Sequence, residues 1–254
     1  MSTFRIIRLA GALVFAATVA AAQTSASKTE PSLGLEAGLM PPVMDQGIYA
    51  HAIFNQLEGR WNGSNTEFRW EGLGWVGTDY DKLWIKSEGT LSNGAVDDGQ
   101  DHFLYSRAIT TYFDLQGGLR SDIDSRPTRN WAAFGIQGLA PYFFDLELTG
   151  FASGDGHLAA KLEAAYDILL TQRLILQPQI ELNVYSKADL ARLVGVGFSD
   201  VDTGLRLRYE FSRKFAPYFG VVYQGKVGQT AIFARQAGES TGDFRFVFGL
   251  RAWF

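Results

Sequence analysis

TGDFRFVFGLRAWF, residues 241–254, ends the chain and alternates between two kinds of side chain. One face is apolar and rich in aromatic residues: Phe244, Phe246, Phe248, Leu250, Ala252 and Phe254. The other face carries the charges: Asp243, Arg245 and Arg251, with Val247 and Gly249 between them. A period of two predicts a β-strand. An aromatic face packs on a second sheet in a soluble sandwich and contacts lipid in a transmembrane barrel, so this strand alone leaves both folds open.

The same alternation recurs along the chain from about residue 48 onward. It predicts twelve strands, at about 48–61, 65–77, 81–91, 101–109, 112–123, 130–140, 143–152, 157–169, 172–185, 199–211, 215–227 and 241–254. Most of these segments are near or above the 9–11 residues that a tilted transmembrane strand needs. Pro178 falls inside the ninth strand, where it has no N–H for the ladder, so we expect a local β-bulge there.

The connections between the predicted strands alternate in length. The short ones are TDYD, TT, APYF, LLTQ and SRKF; those between them, such as SNGAVDDGQ and SKADLARLVGVG, are mostly longer and more polar. The connection after the first strand is a short exception. Bacterial outer-membrane barrels have short periplasmic turns and longer external loops. The sequence therefore predicts an all-β fold, an antiparallel transmembrane β-barrel of about 12 strands over residues 46–254.

The first 45 residues lack strand alternation. Residues 1–22 resemble a secretory signal peptide, with Arg5 and Arg8 before an apolar run and Ala20-Ala21-Ala22 at the cleavage site. The run is short for a membrane-spanning anchor, which is the alternative. Residues 23–45 are predicted to be a flexible N-terminal arm. Export with a barrel fold predicts the outer membrane of a Gram-negative cell, in contact with its lipid.

Composition excludes several classes of function. The chain has no cysteine, so it has no disulfide, thiolate metal site or cysteine nucleophile. The net charge is −4, and no basic face suggests nucleic-acid binding. His102 and Ser106 share a strand face, but four residues at about 3.3 Å each separate them too far for a direct hydrogen bond. We therefore predict that the protein is not an enzyme.

Several longer stretches resemble a known family. LYSRAITTYFDLQGGLR (104–120), WAAFGIQGLAPYFFDLELTGF (131–151) and FSDVDTGLRLRYEFSRKFAPYFGV (198–221) are similar to the copper resistance protein B family of Gram-negative outer membranes, as are residues 70–89 and 162–187. The resemblance runs from about residue 40 to the end. It implies an outer-membrane barrel of copper homeostasis that binds copper ion or moves it across the membrane. It also implies a periplasmic multicopper oxidase as a partner.

The resemblance is incomplete in the arm, because family members often carry a long Met- and His-rich segment there. Here Met40 and Met44 are the only methionines after Met1, and His51 begins the barrel. Cu(I) prefers thioether sulfur, and imidazole suits copper in either oxidation state. We therefore predict a copper site of Met40, Met44 and His51 near the periplasmic mouth. The alternative is that the two methionines flank a Pro-Pro turn and pack on the barrel rim.

The other two histidines are expected in external loops. His102 is predicted beside Asp97, Asp98 and Asp101, and His157 near Asp155, where each would be solvated or would join a weak cation site. Charged residues are predicted to face the lumen at Glu67, Arg69, Glu71, Lys86, Glu88, Arg107, Asp114, Arg120, Lys161, Glu163, Asp167, Arg173, Glu181, Arg206, Arg208, Glu210, Arg245 and Arg251. They form either a closed ionic core or the wall of a cation path.

Three functions remain open from the sequence. The first is a barrel that binds copper or carries it across the outer membrane. The second is a structural or general small-solute barrel without metal specificity. The third is a docking partner for a periplasmic copper oxidase.

Overall fold

The computed structural model describes residues 47–124, 128–212 and 214–254, which form one closed antiparallel barrel. The strands are β1 Tyr49–Trp61, β2 Thr66–Gly77, β3 Asp81–Ser92, β4 Ala95–Val96, β5 Gln100–Ala108, β6 Phe113–Asp122, β7 Asn130–Ala140, β8 Phe144–Ser153, β9 Leu158–Tyr166, β10 Ile168–Leu169, β11 Leu174–Tyr185, β12 Gly197–Tyr209, β13 Phe215–Lys226 and β14 Gly242–Trp253. β14 pairs with β1 and closes the ring. The predicted signal peptide and arm lie outside the described residues.

Twelve strands make the ring, because β4 pairs only with β3 and β10 continues the edge of β9 alongside β11. The predicted barrel of about twelve strands is therefore confirmed, with two short additional strands. A 3-10 turn, Pro141–Phe143, joins β7 to β8, and helix α1, Gly228–Gln236, lies between β13 and β14. In the described part of the chain, no helix has the length and apolar character needed to cross a membrane.

The turns at the two ends of the barrel differ in length, as predicted. The end at which β1 begins and β14 ends has the turns 78–80, 109–112, 141–143, 170–173 and 210–214. The opposite end has the connections 62–65, 93–99, 123–129, 154–157, 186–196 and 227–241. Because short turns are periplasmic in bacterial barrels, the first end is called the periplasmic mouth and the second the external mouth.

The outer surface carries large apolar side chains around the ring. Examples are Phe68, Leu83, Phe103, Leu119, Phe134, Leu148, Leu205, Phe219 and Phe248, all exposed. A soluble monomer rarely exposes so much continuous apolar surface, whereas the outside of a membrane barrel is apolar where it contacts lipid. The face of β14 that the sequence left open between sandwich and barrel is therefore the lipid face.

This assignment predicts a depth-dependent effect of charge on β14. Phe248 lies near the middle of the strand and is 72% exposed, whereas Phe244 lies near its external end and is 71% exposed. We expect Phe248→Arg to lower the free energy of unfolding in lipid vesicles by about 2–4 kcal/mol and Phe244→Arg by about 0–1 kcal/mol. Equal effects in urea titrations would contradict the lipid assignment.

Strand β1 contains a bulge that changes which residues face the lumen. Its register shifts against both neighbours around Asn55, between Phe54 and Gln56 on the β2 side and between Phe54 and Leu57 on the β14 side. One extra residue on one strand reverses the alternation beyond it. His51 and Gln56 therefore both point inward, although their positions in sequence have opposite parity.

The bulge predicted at Pro178 is wrong. Pro178 pairs with Leu205 in an unbroken register with β12, which shifts only between Asn183 and Val184. On the other side the pairs Gln179–Ala165 and Leu176–Ile168 keep one register, and pairing is interrupted only between them. The missing N–H of proline therefore splits the predicted eighth strand into β9 and β10 without inserting a residue.

Candidate functional site: the lumen and its two mouths

Ion pairs join strands that are not neighbours in the ring across the lumen. Arg60 on β1 contacts Asp202 on β12 at 2.7 Å. Arg69 on β2 contacts Glu181 on β11 at 3.2 Å. Charges inside a barrel are tolerated when they are paired. These contacts therefore neutralise the charges in the lumen and also connect its walls.

The acidic partners form a row around one wall. Glu147, Glu163, Glu181 and Asp202 lie directly opposite one another on β8, β9, β11 and β12. Like charges in directly opposed positions repel. The row is stable because each carboxylate contacts a basic group, and Lys86 completes the set by contacting Glu147 at 2.7 Å.

Glu58 is the centre of the most deeply buried network. Its side chain is 0% exposed, and Arg60 Nε donates to its Oε1 at 2.7 Å. Arg206 donates to both carboxylate oxygens at 3.0 Å. Tyr218 donates its hydroxyl proton to Oε2 at 2.9 Å. This side of the lumen is therefore filled by an ionic core, one of the two arrangements that the sequence left open.

A cavity of about 370 Å³ lies beside this core. Its charged lining residues are Glu71, Lys86, Glu88, Asp145, Glu147, Lys161, Glu163 and Arg251. Five carboxylates and three basic groups give the lining a formal net charge of −2. A negative balance in a partly enclosed space favours cations over anions.

Three carboxylates converge beside the cavity. Ligand oxygens of Glu88, Glu163 and Glu181 all lie within 4.8 Å of one another. The Lys161 ammonium lies among them, 2.5 Å from Glu88, 2.5 Å from Glu163 and 3.6 Å from Glu181. Glu88, Glu163 and Glu181 are called the acidic triad, and Lys161 is the lysine that contacts all three.

His102 is not in an external loop, and that expectation is wrong. It lies on β5, is 4% exposed and lines the cavity. Its Nε2 is 3.3 Å from Gln100 Oε1, while its buried Nδ1 has no hydrogen-bond partner among the described residues. Strand β5 begins at Gln100, so His102 is the third residue of the strand rather than part of the loop before it. His157 stays at the external end, before β9.

Two predicted lumen charges also lie elsewhere. Arg107 is exposed on the outer face of β5 near the periplasmic mouth, with its side chain 3.8 Å from Asp81. Its face is shared with Phe103 and Tyr105, whereas His102 and the buried Ser106 occupy the inner face. Arg173 is exposed in the turn 170–173. Arginines at strand ends extend to the polar interface, which explains both positions.

The periplasmic mouth contains an aromatic group around His51. The His51 ring lies 5.6 Å from the ring of Trp253 and 6.2 Å from that of Trp75. Trp75 continues to Trp84 at 6.2 Å. Trp84 shares its strand face with Lys86, so the whole group lines the lumen. The tryptophans were not predicted as part of a site, although Trp75 and Trp84 flank one short turn and such flanking positions pair in a hairpin.

Of the predicted metal ligands, the structure places only His51. Met40 and Met44 lie outside the described residues. Since these are the only methionines after Met1, the described lumen offers carboxylates and imidazoles but no thioether. Such oxygen and nitrogen donors suit Cu(II), and the arm holds the softer donors that suit Cu(I).

The external mouth is crossed by the loop 186–196. Arg192 Nη1 lies 2.7 Å from Asp124 and 3.2 Å from Asp122, at the far end of β6. Arg129 contacts Asp189 of the same loop at 2.8 Å. Three ring strands, β7 to β9, separate β6 from β11, so these contacts hold the loop across the mouth. They are called the external latch.

The latch carries a shifted carboxyl group outside the membrane. Partial burial raises the pKa of Asp189, but the hydrogen bond and charge of Arg129, with backbone N–H groups of the loop, lower it more. The net result is a pKa below the ordinary value of 3.8. Asp189 is therefore ionised and paired at any pH above that value.

The family is established by comparison with known proteins. Residues 48–254 match the family model described as copper resistance protein B precursor (CopB). The chain belongs to this family. Copper resistance protein B of Escherichia coli is 42% identical over 212 residues, which cover 84% of this chain and 72% of that protein. A homologue from Pseudomonas syringae pv. tomato is 41% identical over 212 residues, with the same coverage.

Solved porins share the fold. The NanC porin aligns with a TM-score of 0.52 at 12% identity, covering 80% of this chain and 99% of that one. At this identity the likeness concerns the barrel alone. Together with the lipid-facing surface, it supports an outer-membrane barrel of the copper resistance protein B family.

Proposed function

We propose that this barrel binds copper ion and moves it across the outer membrane, with Met40, Met44 and His51 as the ligands at the periplasmic mouth. The observation that carries the proposal is the position of His51. Its imidazole faces the lumen at the periplasmic end of β1. The arm with both methionines precedes β1 directly in the sequence, so only six residues lie between Met44 and His51.

The electrostatics of the lumen support a cation as cargo. The cavity beyond the mouth has a formal balance of −2. A lined path must bind a cation strongly enough to admit it and weakly enough to release it. A row of carboxylates that are each paired with a lysine or an arginine suits both conditions, because an entering cation would compete with an existing partner at each step.

The test replaces Met40, Met44 and His51 together by Ala. We expect Cu(I) binding by the folded barrel to fall by about tenfold or more, since three ligands of one ion are lost. His157→Ala is the matched control, because it removes an imidazole at the opposite end. The heat-modifiable gel shift reports that each variant is folded. Undiminished Cu(I) binding in the triple variant would exclude the arm as the site.

Two alternatives have their own outcomes. Liposome flux that treats copper and other small cations alike would favour a general small-solute barrel. Retention of a periplasmic multicopper oxidase by a barrel that conducts nothing would favour docking, which stays a prediction, as does the absence of enzyme activity. We also propose that residues 1–22 are a signal peptide, which the N-terminal sequence of the mature protein tests.

A further inference from the structure

We infer that an aromatic plug, formed by Trp131 and Phe151, closes the lumen on the external side of the cavity, and that Asp122 couples this plug to the external latch. The plug opens when the latch releases the loop 186–196, so the two act as one gate. The inference rests on the proposed function and deepens it, because it names the barrier that any cargo must pass.

The plug belongs to an apolar cluster inside the barrel. Trp131 and Phe151 are 2% and 3% exposed, and they pack with Leu104 and Ala133. Phe134, the next residue along β7, is exposed to the lipid, so Trp131 and Ala133 on either side of the alternation point inward. The interior of a membrane barrel is ordinarily polar. A buried apolar cluster there marks a constriction of the lumen.

The plug lies between the cavity and the external mouth. The cavity is lined by Leu139 and Asp145, at the periplasmic ends of β7 and β8, and it extends along β8 as far as Phe151. Trp131 lies nearer the external mouth, because it is the second residue of β7. Hydrophobic constrictions stop ions by excluding water. A cation that enters the cavity from the periplasmic mouth therefore meets the plug next.

Asp122 joins the plug to the latch. Its side chain is buried, and Trp131 Nε1 donates to its Oδ2 at 3.0 Å. The same oxygen lies 3.2 Å from Arg192 Nη1 of the latch. Arg120 Nε donates to the other oxygen at 2.9 Å, and the Arg120 guanidinium lies 4.7 Å from the centre of the Phe151 ring. One carboxylate therefore positions both rings of the plug.

The other contact of the latch also reaches the plug. Arg129 contacts Asp189 of the loop at 2.8 Å, and its guanidinium lies 5.5 Å from the centre of the Trp131 ring. A cation over the face of tryptophan is attracted by the ring. Both arginines of the latch therefore act on Trp131, Arg129 directly and Arg192 through Asp122. When the loop leaves the mouth, both contacts are weakened and the plug is held less firmly.

The barrier is tested by single-channel recording of the folded full-length barrel in potassium chloride. The background is Arg192→Ala, so that the loop does not limit the current. We expect Phe151→Ala to raise the conductance several-fold, because water enters the space that the ring leaves. Phe134→Ala is the matched control, because it removes the same ring from the lipid face. An unchanged conductance in Phe151→Ala would overturn the plug as the barrier.

This test is independent of copper, because potassium and chloride carry the current. A barrel in which Phe151→Ala has no effect but the arm binds Cu(I) would lose the plug and keep the proposed function. The heat-modifiable gel shift reports that each variant is folded.

The coupling is tested with Trp131→Phe, which keeps an aromatic ring and removes the N–H that Asp122 accepts. We expect the open fraction to rise by about tenfold, the ratio that corresponds to about 1.4 kcal/mol. Adding Arg192→Ala should raise it by less than the two separate effects combined, because the two residues act through one carboxylate. Trp84→Phe is the matched control, since Trp84 Nε1 has no hydrogen-bond partner among the described residues. Independent effects of Trp131→Phe and Arg192→Ala, or no effect of Trp131→Phe, would overturn the coupling.

Discussion

Replacing Glu58 by Ala is expected to destabilise the folded barrel by about 3–5 kcal/mol, because it leaves buried positive charge without a partner. The Glu58 carboxylate receives hydrogen bonds from Arg60, Arg206 and Tyr218, all within 3.0 Å. Arg60 would keep Asp202, but Arg206 has no other carboxylate within ion-pair distance among the described residues. The loss is therefore far larger than that of an exposed ion pair.

Urea unfolding of the barrel in lipid vesicles measures this effect. Glu210→Ala is the matched control, since the Glu210 side chain is 32% exposed and has one long ion pair, 3.9 Å from Arg208. The control should change the free energy of unfolding by about 0–1 kcal/mol. Glu58→Gln should fall between the two, because it keeps some hydrogen bonds and loses the charge. Equal losses for Glu58→Ala and Glu210→Ala would show that the buried network does not support the barrel.

Strand alternation made the fold predictable, because every strand of a closed barrel contacts two different environments. On β14 the even-numbered residues, such as Phe244, Phe246 and Phe248, face the lipid. The odd-numbered residues, from Asp243 to Arg251, face the lumen, as the sequence indicates. The extra strands were not predictable in the same way. β10 is separate from β9 because pairing along β11 is interrupted near Pro178, an effect of the neighbouring strand rather than of the residues of β10.

The inner site was less predictable than the fold, because lumen contacts join residues far apart in sequence. Glu88 and Lys161 meet from β3 and β9, and no local spacing links them. The inward direction of His51 depends on the bulge at Asn55, and no proline or glycine marks that bulge in the sequence. His102 was misplaced because the acidic residues before it resemble a loop, although β5 begins at Gln100.

Replacing Arg192 by Ala is expected to open the external mouth and raise ion conductance through the barrel. Arg192 contacts Asp122 and Asp124 across the mouth, and each hydrogen bond between charged groups contributes about 1.5–3 kcal/mol. Loss of that energy would shift a closed–open equilibrium about tenfold or more. The other end of the loop would stay attached, because Gly195 and Val196 donate backbone hydrogen bonds to Thr230 and Gln229 near α1.

Single-channel recording in planar bilayers measures the open fraction. Arg235→Ala is the control, since Arg235 is exposed on α1 and has no ion pair in the described part of the chain. Acid should release the other contact of the latch, between Asp189 and Arg129, only below pH 3.8, because the depressed pKa of Asp189 keeps that pair intact above this value and the pair is lost as pH falls through the lowered pKa. Opening of the wild type already near pH 6 would contradict a latch held by Asp189. A mouth that stays closed in Arg192→Ala would show that the loop is held by its hydrogen bonds to α1.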